Sequence, residues 1–248
     1  MPARDYSRYE MSRREKAVYS AVPLAIIFFV SFLCYDNFFF SVILLPYIPI
    51  YISAKRKKLI AERRWKLNIQ FGDSIACMSA ALEAGYSVEN AVREAYTDMK
   101  MSYSEEDMIM EEYRFIMSSI MNSRTIEEAF GELAERSGLE DIKSFADIFA
   151  TAKRTGGNVI HIIRETSKVI RTRVELKREL KTIISAKKYE SDIMKFVPVF
   201  LILYLRVCSP DMIASLYGNT KGILFMTAVL VIYLVLCRIS DRLVDMTL

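Results

Sequence analysis

The sequence predicts an all-α membrane protein with four transmembrane helices and a cytoplasmic antiparallel six-helix bundle inserted between spans two and three. Three observations predict it. Apolar and charged residues, 52% and 26% of the 248 residues, are segregated into separate stretches. Four uncharged runs flank a central segment of about 135 residues, residues 55–190. Within that segment apolar residues recur every three or four positions, with neither strand alternation nor proline between 50 and 197.

The first two runs, 17–35 and 37–54, are long enough to cross a hydrocarbon core, which takes roughly 17–25 residues of helix. The first is long for a signal-peptide core, has no small-residue cleavage site and is followed at once by a second run, so it reads as a span. The last two runs, 196–205 and 222–237, are shorter, and 196–205 needs flanking residues such as Ile193 and Met194 to span. Lys195 and Arg206 close that third run at its ends, where long cationic side chains snorkel to the interface.

Lysine and arginine near the spans set the orientation. They crowd the N-terminal tail (Arg4, Arg8, Arg13, Arg14, Lys16), the exit of span two (55–58, "KRKK"), the approach to span three (Lys177 to Lys188) and the exit of span four (Arg238, Arg242). The loop around Asp36 has none, and the loop between spans three and four has only Lys221. Both termini and the central segment are thus expected in the cytoplasm. The resulting organisation is a basic tail (1–16), a hairpin of two spans (17–54), a helical domain with basic membrane-proximal stalks (55–190), a second hairpin (191–238) and a tail (239–248).

Five apolar stripes mark the first five cytoplasmic helices: Phe71, Ile75, Met78 and Leu82; Val88, Ala91, Val92, Ala95 and Met99; Ile109, Tyr113, Ile116 and Ile120; Ile126, Ala129, Phe130 and Leu133; Phe145, Ile148, Phe149 and Ala152. Gly85 ends the first helix and Ser87 is placed to cap the second. Thr125 with Glu128 reads as a capping box opening the fourth, and Gly138 ends it. In a sixth, long helix, Ile162, Val169, Leu176 and Ile183 recur every seven residues, the spacing of a packing seam. "SVENAVREA" (87–95) echoes "TIEEAFGEL" (125–133), through either a duplicated hairpin or shared helix-start chemistry.

The double glycine of "RTGG", Gly156–Gly157, follows a helix and has no lysine after it. A phosphate-cradling loop follows a strand and ends in G-K-[ST]. The pair therefore reads as a helix end and chain reversal, with Asn158 capping the next helix.

Charge is uneven. Residues 55–66 hold seven Lys or Arg against one Glu, a net +6; residues 164–188 hold nine against three acids, also +6; residues 73–147 hold six against seventeen, −11. The basic stretches suit the anionic cytoplasmic leaflet, and so membrane lipids. The acidic body disfavours nucleic acid; it is either a docking face for a basic partner, with Glu127, Glu128, Glu132 and Glu135 as candidates, or a solvated surface. Cys34, Cys77, Cys208 and Cys237 lie in or near apolar stretches without a C-x-x-C pair, and read as reduced thiols rather than metal ligands. His161, the single histidine, reads as a packed or solvated side chain rather than a catalytic one, because a general base needs an orienting partner. The residues predict no catalytic, cofactor or metal site.

Residues 67–190 resemble the cytoplasmic helical domain of type II secretion system F proteins, in particular the single-domain TadB and TadC type. "ALEAGYSVENAV" (81–92), "TIEEAFGELAERSG" (125–138) and "ATAKRTGGNVIHII" (150–163) carry the resemblance. "SPDMIASLYGNTKG" (209–222) and the last spans extend it to about 180 residues. "MNSR" (121–124) departs from the family, which usually has a glycine before the fourth helix, and this puts the shape of that turn in question. The resemblance implies a non-enzymatic inner-membrane platform of a Tad or type IV pilus or a type II secretion machine. Such platforms couple a cytoplasmic assembly ATPase to the extraction of pilin-like subunits, alongside a second platform protein or further copies of themselves. The competing readings are a small four-span sensor or adaptor with a helical signalling bundle, and a membrane enzyme or transporter.

Overall fold

A computed structural model describes residues 6, 11, 13–35, 47–155, 159–210 and 220–245. Gly156, Gly157 and Asn158, the loop around Asp36 and most of 209–222 lie outside the described residues. The described chain is helical throughout: α1 (Arg13–Tyr35), α2 (Tyr47–Glu83), α3 (Val88–Met99), α4 (Met108–Met121), α5 (Ile126–Ser137), α6 (Glu140–Thr155), α7 (Val159–Cys208) and α8 (Thr220–Asp245). It divides into two compact units, Met1–Glu10 with Arg56–Lys177, and Met11–Lys55 with Arg178–Leu248.

In the first unit, α3 packs on α4, α4 on α5 and α5 on α6. The core they share with α2 and α7 is built from the stripes. Phe71, Ile75, Met78 and Leu82 of α2, Ile109, Tyr113 and Ile116 of α4, and Phe130 and Leu133 of α5 are all buried. Two stripes differ from the sequence reading. Ile148 is 45% exposed although Phe145 and Phe149 beside it are buried. In α7 the buried face is Ile163, Ser167, Ile170 and Val174, whereas Val169, Leu176 and Ile183 of the seven-residue series are about half exposed or more. Adjacent positions on a helix differ by about 100°. A helix with apolar residues at both 162 and 163 therefore presents two stripes, and its neighbours bury the one spaced 4-3-4.

The turns show why the chain reverses where it does. After α2, Gly85 takes φ +93°; its N–H donates to Leu82 O (3.1 Å) and Tyr86 N–H to Ala81 O (3.2 Å), closing the last carbonyls of the helix. Ser87 then accepts from Asn90 N–H and starts α3. The "MNSR" turn is built the same way. Ser123 N–H donates to Ile120 O and Arg124 N–H to Ser119 O, both at 3.1 Å, and Thr125 starts α5. Turn, cap and a twelve-residue helix recur 38 residues apart, so the echo between 87–95 and 125–133 extends to backbone geometry.

The residue in the glycine position, Ser123, has φ +63° and is the non-glycine with positive φ among the described residues. An L side chain is strained there by about 1–2 kcal/mol, partly offset by the flexibility glycine adds to the unfolded chain. Ser123→Gly should therefore raise stability by about 0.5–1 kcal/mol. Urea unfolding of the solubilised chain, followed by Trp65 fluorescence, measures it, and a loss of stability would contradict the strain.

The connector from α3 to α4 is tied to α2 by two carboxylates, Asp73, which accepts from the Tyr103 hydroxyl, and Asp107. Asp107, at the start of α4, makes no capping bond into its own helix. It accepts instead from Lys66 Nζ (2.6 Å), Gln70 Nε2 (3.0 Å), and the Ser104 N–H (3.1 Å) and Oγ (3.2 Å). The hydrogen bond from Lys66 is the main cause that holds the Asp107 carboxyl below its ordinary value, against a burial effect that raises it. A depressed carboxylate stabilises the fold above its unfolded pKa, and that contribution is lost as pH falls through the lower folded value. Asp107→Asn should cost about 1–2 kcal/mol at pH 7. Its deficit against wild type should shrink on acidification below pH of about 4. A deficit independent of pH would exclude the charge as its cause.

In the second unit, α1 packs on α8. Lys55 Nζ lies 5.3 Å from the Tyr19 ring centroid, placing the exit of the second uncharged run beside the start of α1. Ser191 bonds Ser240 (2.7 Å) and, one turn on, the Tyr233 hydroxyl donates to the Lys195 carbonyl (2.6 Å), so α7 and α8 are antiparallel here; Lys195 Nζ also bonds Asp241 (2.5 Å). At the other end, Arg206 donates to Phe32 O (2.6 Å) and stacks on the Phe32 ring (4.3 Å), closing carbonyls in the last turn of α1. Lys195 and Arg206 are thus held by protein partners rather than reaching out alone. Pro23 and Pro198 sit inside α1 and α7, in apolar stretches. Among the described residues, two helices are long and apolar enough to cross a membrane, Arg14–Leu33 and Lys221–Arg242. The run 37–54 lies partly outside the described residues, and Phe196–Leu205 is bounded by Lys195 and Arg206.

Candidate partner surface

The four acidic candidates lie on α5, whose other face, Ile126, Ala129, Phe130, Leu133 and Ala134, is buried. That division follows from sequence spacing, because the acids occupy the positions between the apolar ones. Their situations differ. Glu128 belongs to the capping box: Thr125 Oγ1 accepts from Glu128 N–H (3.3 Å) and Glu128 Oε2 accepts from Thr125 N–H (3.2 Å). Glu127 is paired with Lys153 of α6 at 3.2 Å. Glu132 is paired with Arg124 at 3.1 Å and lies 3.9 Å from Arg136. Glu135 is exposed. A partner approaching this face therefore meets one open carboxylate and two that are already half neutralised. Exposed pairs of this kind contribute about 0–1 kcal/mol each, so a basic partner can exchange them at low cost.

Many of the acids behind the −11 count are likewise matched within the unit. Glu112 is buried against Arg136, Asp141 against Arg173 (2.7 Å), and Glu83 meets Arg164 (2.7 Å). The Glu112 pair includes a residue with no local signal in the sequence. Tyr6, in the stretch read as a basic tail, is fully buried in this unit. Its hydroxyl donates to Glu112 Oε1 (2.8 Å), its N–H to Arg136 O (3.1 Å), and its carbonyl accepts from Arg64 Nε (3.3 Å). His161 is on an exposed face of α7. Cys77 is a free, half-buried thiol; burial, with Asp98 and Asp73 nearby, pushes its pKa up and keeps it neutral. Of the glycines named from sequence, Gly85 closes α2 through its positive φ. Gly156 and Gly157 lie outside the described residues.

The polar side chains of this unit form helix caps and ion pairs, and α5 presents an acidic face. The family model for type II secretion system (T2SS), protein F, matches residues 70–205, from within α2 to the end of the apolar run in α7 and more than half of the chain. No curated protein and no solved structure matches the chain. The chain belongs to the type II secretion system protein F family, the membrane platform proteins of secretion machines.

Proposed function

We propose that this chain is the inner-membrane platform of a pilus-assembly or type II-like secretion machine, and that it couples a cytoplasmic assembly ATPase to the extraction of pilin-like subunits. The observation that carries the reading is the continuous family match over 70–205, which takes in the acidic helical unit and the apolar end of α7 together. In this reading four spans carry the bundle, and both termini lie on its side of the membrane. The geometry of the second unit supports that topology. Tyr19 near the start of α1 meets Lys55, and Ser191 near the start of the third run meets Ser240 near the end of α8. Arg206 meets the far end of α1. The exposed face of α5, with Glu135 open and Glu127 and Glu132 exchangeable, is the docking face for a basic surface of the ATPase, and a second platform protein or another copy completes the assembly. Co-purification of the full chain with a candidate assembly ATPase from the same organism, in mild detergent, tests the coupling. Glu135→Lys together with Glu127→Lys should reduce recovery of the ATPase while the chain still folds; undiminished recovery would remove α5 from the interface. Reporter fusions should read external at Asp36 and cytoplasmic within 99–104, and an external signal at 99–104 would overturn the topology.

A further inference from the structure

In the first unit an open cleft of about 500 Å³ lies between α2, the start of α6 and α7. That volume falls in the range of small-ligand sites. Arg64, Trp65, Asn68, Asp141, Arg173 and Lys177 line it. Asp141 is already satisfied: it accepts from Asn68 Nδ2 (2.8 Å) and from Arg173 (2.7 Å). Arg64 spends its Nε on the Tyr6 carbonyl, and Lys177 rests over the Trp65 ring at 5.6 Å. Among the described residues neither cation is paired with a carboxylate, although Glu140 also borders the cleft. The second observation is independent of charge. Asn68 is 2% exposed, and its Oδ1 accepts no hydrogen bond among the described residues. A buried acceptor without a donor is costly, and the bond from Nδ2 to Asp141 fixes which amide atom is left over.

The cleft therefore asks for a ligand that is an anion toward Arg64 and Lys177 and a hydroxyl donor toward Asn68. A phosphodiester bearing free hydroxyls has both properties. The cleft's cations, Arg64, Arg173 and Lys177, belong to the two basic stretches that border the uncharged runs in sequence, 55–66 and 164–188, where the anionic leaflet is expected. Trp65 adds the amphipathic ring that favours a bilayer interface. We propose that this cleft binds the glycerol-phosphate head group of an anionic phospholipid, with the phosphodiester on Arg64 and Lys177 and a head-group hydroxyl donating to Asn68 Oδ1.

Trp65 is the single tryptophan of the chain and so reports on the site directly. The full chain in neutral detergent is titrated with short-chain phosphatidylglycerol, short-chain phosphatidylcholine and free glycerol phosphate while Trp65 emission is followed. Phosphatidylglycerol should give a saturable change and phosphatidylcholine none. Lys177→Gln should weaken the phosphatidylglycerol midpoint about tenfold, as expected for one charge-assisted bond to phosphate. Lys168→Gln, a substitution in the same basic stretch but outside the cleft, should leave the midpoint unchanged. Equal weakening by the two variants would mean diffuse attraction and would overturn the site. An equal response to phosphatidylcholine would overturn the anion requirement. If free glycerol phosphate binds as tightly as the lipid, the ligand is a soluble phosphate ester and the lipid assignment falls. None of these readouts depends on the ATPase.

Discussion

Phe145→Ala is expected to lower the unfolding free energy of the helical unit by about 3–5 kcal/mol, the range for truncating a buried phenylalanine. Phe145 is 1% exposed and lies at the centre of an aromatic cluster that joins three helices. Its ring centroid is 5.1 Å from Phe130 of α5 and 5.4 Å from Phe71 of α2, both edge-on, and 5.6 Å from Phe149, nearly parallel. Such pairs add about 0.5–1.5 kcal/mol beyond the area they bury, and surrounding rings cannot collapse into the space a lost ring leaves. Ile148→Ala, three residues further along α6, is the control: at 45% exposure its expected cost is within about 0.5 kcal/mol. Urea unfolding of the solubilised chain, monitored by Trp65, measures both. A cost for Phe145→Ala no larger than that of Ile148→Ala would contradict the cluster as the centre of the core.

That contrast also marks how far the sequence could be read. Residues of one stripe share a face, so Phe71, Ile75, Met78 and Leu82 could be placed in the core from spacing alone. Spacing does not say how wide the buried strip is, and Ile148 fell just outside it. In α7 the seven-residue series was real but belonged to the face that the unit leaves open. Gly85 announced its turn because glycine is the residue that carries no penalty at positive φ. Ser123 occupies the same conformation with no such signal, so that turn was legible only by comparison with the family's usual glycine. Formal charge gave the sign of the acidic body, but summed charge is blind to pairing, and the structure matches Asp141, Glu112 and Glu127 with cations of the same unit. Tyr6 lay beyond any local argument, since its partner Glu112 is 106 residues away and nothing near residue 6 is periodic.

Arg136→Met is expected to destabilise the helical unit by about 3–5 kcal/mol, because it removes one partner of a buried ion pair and leaves the other uncompensated. Glu112 is 3% exposed and receives two guanidinium bonds, Arg136 Nη1 to Oε1 at 2.9 Å and Nη2 to Oε2 at 2.6 Å. The side-by-side geometry fixes both planes, and Phe115 lies 5.0 Å from the guanidinium on the outside. The Tyr6 hydroxyl adds a third donor, which one arginine cannot replace. Tyr6→Phe, which keeps the ring and removes that donor, should cost about 1 kcal/mol. The cost of Arg136→Met is a penalty for a stranded carboxylate, not the worth of the pair, and a compensated variant separates the two. Tyr6→Phe, Glu112→Leu and Arg136→Met combined remove the buried carboxylate and its side-chain donors at once and leave an apolar contact of similar volume. Replacements of this kind range from neutral to stabilising, so the triple variant should recover most of the loss seen in Arg136→Met alone. The same Trp65-monitored unfolding reads all three. If the triple variant is as unstable as the single one, the interaction is worth its full measured cost and the desolvation argument is wrong. If Arg136→Met costs under about 0.5 kcal/mol, the value for an ordinary surface site, water reaches Glu112 and Tyr6 does not seal it.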